Sequence, residues 1–376
     1  MNTVGRTNRL SALDGLRGVC ILGVMFGHLS GTAGFPVSAR TGSYLAFGSL
    51  ALLVFFVMSG YLITGIILRE QEKTGTVRLG NFFVRRTLRM APPYLFAVAG
   101  IATMAALGWI ALNPGDLLHA FTYTSNYNDD RAWPMAHTWS ASVQEQFYLL
   151  WPLVLVFAGS RRAIIVAALT LLIVPFIRVA EWELLRWEIG HRFETIADAM
   201  AAGCLLACLR PQLHRWPPYL AALRSRWFVF VPLAALGANM LQDHPLVHFS
   251  VAMTTVIVCA TLSLDWLLTF SEGRVARVLN FPLLRGIGLI SYSLYLWQQP
   301  FLDRGSSAVF TRFPLNLLLA FAAGIAAFYL VERPSMTLRD RLDARRRRAP
   351  ATAGTANRHL TQIPERPAPA PMGAME

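Results

Sequence analysis

The chain has 376 residues, 55% of them hydrophobic and only 15% charged, with a net charge of +13 from 34 Lys and Arg against 21 Asp and Glu. A soluble globular domain carries about a quarter charged residues, so that class is excluded. The arginines fall between long apolar runs, a distribution that fits the positive-inside bias of membrane proteins and argues against nucleic acid as a partner.

In chain order, apolar segments long enough to span a bilayer are expected near 11–32, 43–68, 88–112, 137–158, 162–181, 194–210, 227–242, 247–270, 283–302 and 314–332. The fold class is therefore an all-α integral membrane protein with about ten transmembrane helices. The segments 194–210 and 227–242 are short enough to be tilted or half-buried. Placing the N-terminus inside puts most Lys and Arg in the internal segments, and the external ones keep only Arg40, Arg131, Arg178, Arg186, Arg192, Arg304 and Arg312. Both ends are accordingly expected in the cytoplasm. No cleavable signal peptide is expected, because Asp14 and Arg17 open the first apolar stretch and no small-residue cleavage site follows. Cys20, Cys204, Cys208 and Cys259 all lie in apolar segments without CxxC spacing and read as packing residues, with no metal site implied. Residues 1–340 read as one membrane domain. Residues 341–376, with the Arg345–Arg348 run and a Pro- and Ala-rich end, read as a disordered basic cytoplasmic tail beside anionic headgroups.

Ionisable residues inside a span mark function, because hydrocarbon penalises them by several kcal/mol. The first span carries Asp14, Arg17 and His28. Arg17 and His28 are eleven residues apart, so they share a helix face within about 20° at an axial distance of roughly 16 Å. Arg17 then sits near the inner surface with Asp14 as its partner, and His28 in the outer half. Arg86 and Arg89 are i,i+3 neighbours at the inner start of the third span, ahead of Pro92 and Pro93. Their plain reading is positive-inside anchoring; their functional one is a pair of forks for phosphate.

In the fourth span His137, Ser140, Gln144 and Tyr148 fall on one face, with Glu145 about 100° round and Trp139 at the outer interface. Gln144 lies at a depth similar to that of His28, which suggests a single site. The ninth span holds Ser291, Tyr292, Ser293, Gln298 and Gln299, most of them suited to interhelical hydrogen bonds. Asp198 is a lone carboxylate in the sixth span with no role readable from spacing. In the external segment 113–136, Tyr123, Asn126, Tyr127, Asp129, Asp130 and Trp133 could stack on a sugar or simply form a solvated loop.

With these residues in view, the chain resembles the type-three membrane acyltransferase family, which O-acylates bacterial surface and secreted carbohydrates. The resemblance rests on ALDGLRGVCILGVMFGH, LVFFVMSGYLIT, FFVRRTLRMAPPY, HTWSASVQEQFYLLWP, ISYSLYLW and VERP, in that order over nearly all of the first 335 residues. It implies a bacterial cytoplasmic membrane, an acyl-CoA donor (acetyl by family habit) entering from the cytoplasm, and a carbohydrate or glycolipid acceptor at the outer side. No tightly bound cofactor is implied, nor a counterpart of the extracytoplasmic hydrolase-like domain of many members. Carried over, His28 resembles the essential histidine, Arg17 its partner, and Arg86 and Arg89 the CoA-binding arginines. Ser140 and Glu145 join His28 as catalytic candidates. His137, Trp139, Gln144, Tyr148, Asp14, Asp198, Tyr292 and Gln298 complete the polar set.

Two departures stand out. Ala141 and Gln144 replace the Leu and Glu of the usual Ser-Leu-x-x-Glu-x-x-x-Tyr pattern, and Gln298 stands where many members have Trp-His. The competing readings are a transporter or flippase and a non-catalytic relative. No oligomeric state is readable.

Overall fold

A computed structural model describes residues 3–45 and 47–348, and every regular element among them is helical. Helices satisfy all their own backbone hydrogen bonds, which a lipid-embedded chain requires. The principal ones are α1 (Thr3–Leu29), α2 (Phe47–Thr74), α3 (Leu79–Ala106), α4 (Thr138–Leu153), α5 (Gly159–Leu185), α6 (Phe193–Leu213), α7 (Phe230–Asn239), α8 (Met253–Thr269), α9 (Pro282–Leu289), α10 (Ser291–Gln298), α11 (Leu315–Ala327) and α12 (Arg333–Arg348). The outward surface is apolar: Phe157, Phe176 and Leu184 are 77%, 69% and 83% exposed. Such a surface would drive aggregation in water and is at home in hydrocarbon.

Seven helical runs among the described residues are long and apolar enough to cross a membrane, and an eighth follows if Pro217–Arg224 and Arg226–Asp243, bent by 68°, form one crossing. One run, Trp133–Leu185, is 53 residues, about 80 Å of helix and well over twice a bilayer core. A π turn at 154–158 and Gly159, with φ at 79°, break it into α4 and α5, at the junction expected between 137–158 and 162–181. The single span expected at 283–302 is instead two eight-residue helices, α9 and α10, meeting at Ile290. Gly286 and Gly288 weaken the helix there, and Gly288 lies so close to α1 that a Cβ would sit 1.7 Å from the Asp14 carbonyl oxygen.

The membrane core is organised around α1, α2 and α6. Gly60 and Gly203 let α2 and α6 touch backbone to backbone, since a Cβ on either would lie 2.0 or 1.9 Å from Met200 O or Val57 O. Small residues give this close approach in the absence of a hydrophobic driving force between helices. Gly60→Val is expected to lower stability by about 3 kcal/mol. A fall in the thermal midpoint of purified protein would show it, and an unchanged midpoint would mean the helices do not need this approach.

Arg178, expected in an external segment, is instead fully buried within α5. At the other end of the sequence, α12 extends through Arg348, so residues 341–348 of the expected disordered tail are helical. Residues 349–376 lie outside the described residues. Cys20, Cys204 and Cys208 are buried, and all four cysteines are free thiols.

Candidate active site

His28 lies in the last turn of α1 and lines a cavity of about 470 Å³. Val24 and Gly27 of α1, Ser49 and Leu52 of α2, His137 and Trp139 at the start of α4, and Tyr295 of α10 also form its wall. The segments between the long helices add Asp129, Arg131, Trp133, Glu188, His191 and Gln242 to its lining. His28 Nδ1 is 2.9 Å from Gln298 Oε1, and the imidazole meets the Trp133 ring edge-on at 5.3 Å. Trp133 Nε1 donates to the Gln299 carbonyl at 3.1 Å, and the Arg304 guanidinium lies 5.6 Å over its ring.

The segment 113–136 is folded and not a loose solvated loop. It contains the helix Asp116–Phe121, and Asp116, Ser125 and Asn126 are buried. Asp116 accepts from the backbone of Asn113 and Ala132 and from Asn128, closing the segment on itself. Arg131 pairs with Glu188, and Arg192 with Asp129 at 2.8 Å, so charged ties fasten the segment over the cavity. Tyr127 donates to Glu194 at 2.8 Å. Burial and that carboxylate push its phenol up to about 12, so it stays a neutral donor at physiological pH.

The fourth-span motif divides between two places. Its outer end, His137 and Trp139, belongs to the cavity of His28. His137 is 3% exposed and neither ring nitrogen has a hydrogen-bond partner, although its ring meets Tyr295 edge-on at 5.5 Å. The inner part turns to α2 and α3. Glu145 accepts from Arg86 at 2.9 Å, the Arg86 guanidinium lies 3.1 Å over the Tyr148 ring, and Gln144 donates to Ser59 and to the Tyr148 hydroxyl, each at 2.8 Å. The expectation that Gln144, Glu145 and Tyr148 share one site with His28 is corrected accordingly. None of the three lines the cavity, because α4 carries them a full turn or more beyond its wall. Ser140, also expected to be catalytic, is hydrogen-bonded to the Tyr295 hydroxyl at 2.6 Å and to the His137 carbonyl at 3.1 Å, a link between α4 and α10.

Toward the other end of the bundle the basic residues gather. Asp14 accepts from Arg17 at 2.9 Å, as the sequence implies. Arg89 lies within electrostatic range of Arg17, Arg339, Glu332 and Tyr148. Tyr292 donates to the Met90 carbonyl at 3.0 Å and ties α10 to α3. Glu332, which the sequence reading passed over, is 3% exposed and accepts from Ser293 at 2.5 Å. An intramembrane carboxylate in the VERP stretch was the available signal. Asp198 is held by Arg178 in a fully buried pair at 2.9 Å. Among the described residues no group of three or more His, Cys, Asp or Glu is placed to hold a metal.

The family profile described as an acyltransferase domain matches residues 10–333. The O-acetyltransferases OatA of Staphylococcus aureus strains NCTC 8325, COL and MRSA252 are each 28% identical to the chain over 327 residues, an alignment covering 77% of this chain and 50% of the relative. The chain thus spans about half the length of the curated relatives it matches. No solved structure matches it.

Proposed function

The chain belongs to this acyltransferase family, and from that premise we propose that it moves an acyl group from acyl-CoA to a hydroxyl of a carbohydrate or glycoconjugate. The group is acetyl on the analogy of the relatives' names. The reading places the protein in the cytoplasmic membrane of a bacterium, with Arg17, Arg86 and Arg89 on the cytoplasmic side and the cavity on the outer side. One observation carries it. A single helix, α1, presents Arg17 toward the basic end and His28 in the wall of a cavity at the opposite end.

Each end suits its substrate. Guanidinium groups bind phosphate oxygens in pairs, and anionic CoA phosphates would find several of them close together. The cavity offers aromatic faces at Trp133, Trp139 and Tyr295 beside polar groups at Arg131, Glu188 and Gln299, the mixture that stacks on and hydrogen-bonds to a sugar. A neutral imidazole can remove a hydroxyl proton as the oxygen attacks a thioester carbonyl, then return that proton to the departing thiolate.

In this reading Glu145 orients Arg86 for the donor and takes no part in proton transfer. Arg86→Ala is therefore expected to raise the KM for acetyl-CoA about tenfold, the equivalent of one charged hydrogen bond. Glu145→Ala is expected to act in the same direction more weakly. Initial rates in membrane vesicles at varied acetyl-CoA would measure both. A fall in kcat with unchanged KM would remove Arg86 from the donor site. Transport of a substrate across the vesicle without a covalent acyl product would instead support the transporter reading.

A further inference from the structure

Gln298 is fully buried, and its side-chain amide is oriented between two partners. Its Nε2 donates to Gln299 Oε1 at 3.0 Å, which leaves its Oε1 as the atom 2.9 Å from His28 Nδ1. A carbonyl oxygen only accepts, so the hydrogen between them must be on His28 Nδ1. The other ring nitrogen, Nε2, has no hydrogen-bond partner among the described residues. It is not one of the enclosed unpaired polar atoms either, so it is open on the cavity that His28 lines. The support continues outward: the next main-chain carbonyl, of Gln299, accepts from Trp133, whose ring holds the imidazole edge-on.

We infer that Gln298 is the positioning residue of the transfer, fixing His28 as its Nδ1–H tautomer so that an unprotonated Nε2 faces the acceptor. This rests on the acyltransferase reading of the cavity and specifies which atom acts. Nε2 takes the proton of the acceptor hydroxyl as that oxygen bonds to the thioester carbonyl carbon. The imidazolium keeps its Nδ1–H bond to Gln298. When the carbon–sulfur bond breaks, the thiolate takes the proton from Nε2 and the starting tautomer is restored. The amide supplies direction without charge, which separates it from a carboxylate partner that would form an ion pair with the imidazolium. In the orientation that gives its N–H to Gln299, this amide presents an acceptor to His28.

The test reads the tautomer directly. Full-length protein labelled with ¹⁵N in its histidine rings would be placed in lipid nanodiscs, and the His28 signals assigned by their loss in His28→Gln. Native protein is expected to show the proton on Nδ1 and a bare Nε2. Gln298→Leu is expected to show a mixture of tautomers, with kcat for acetyl transfer lowered about tenfold. Gln298→Met serves where Leu does not fold, and the native spectrum needs no variant. A proton on Nε2 in the native protein would overturn the inference, as would an unchanged Nδ1–H tautomer in Gln298→Leu. The spectrum is recorded without donor or acceptor, so an expected tautomer with no acyl transfer would count against the transferase reading alone.

Discussion

Replacing His28 by alanine is expected to lower acyl transfer about a hundred- to ten-thousandfold, the span a positioned general base supplies. The reason is geometric. His28 is held by Gln298 and Trp133 in the wall of a cavity whose remaining surface is aromatic and polar. His137 also lines that cavity, but both of its ring nitrogens are enclosed, so it is not placed to take over the proton transfer. The rate of label transfer from acetyl-CoA to acceptor in vesicles, with matched amounts of native and variant protein, is the measurement. The double variant His28→Ala/His137→Ala is expected to match the single one in its residual rate. Full activity in His28→Ala would remove the histidine from the chemistry.

The largest expected effect on stability lies far from the cavity. Arg178 meets Asp198 with neither side chain exposed, and it also donates to the Thr195 carbonyl at 2.9 Å, the Thr254 hydroxyl at 2.9 Å and the Phe249 carbonyl. Arg178→Met would leave Asp198 buried without a countercharge and is expected to cost about 3–5 kcal/mol. Arg178→Met combined with Asp198→Leu removes both charges and is expected to recover most of that loss. Thermal unfolding of the three proteins in one detergent would compare them. Equal instability of the single and double variants would show that the carbonyl contacts of Arg178, and not its charge pairing, hold α5 to α6 and α8.

Most of the architecture was legible because hydrocarbon leaves few options. Long apolar runs located α1, α2, α3 and α6, and Gly159 falls in the gap expected between the fourth and fifth segments. What misled was hydropathy used without packing. A window over 283–302 does not register that α9 must lie against α1 at Gly288, nor that Ile290 separates two short helices. Charge counting likewise assigned Arg178 to a loop, because an arginine near a span end carries the same signal whether it faces water or a buried carboxylate. Asp198 looked isolated for the same reason: its partner is twenty residues away on another helix.

At the site, helical periodicity on one element was readable and partners across elements were not. The pairing of Arg17 with Asp14 followed from α1 alone. That α4 serves two places, with His137 and Trp139 at the cavity and Glu145 at Arg86, depends on which helices lie against each turn. Gln298 was noted as a departure from the family pattern. Its meaning emerged only when α10 brought it to Nδ1 of His28.

The most direct test of the account is mass spectrometry of surface and secreted glycans from the host strain, from a strain lacking this protein, and from that strain carrying native or His28→Ala protein at equal levels. The account predicts O-acyl groups that vanish on deletion, return with the native chain and stay absent with His28→Ala. Glycans unchanged by deletion, or restored fully by His28→Ala, would contradict it.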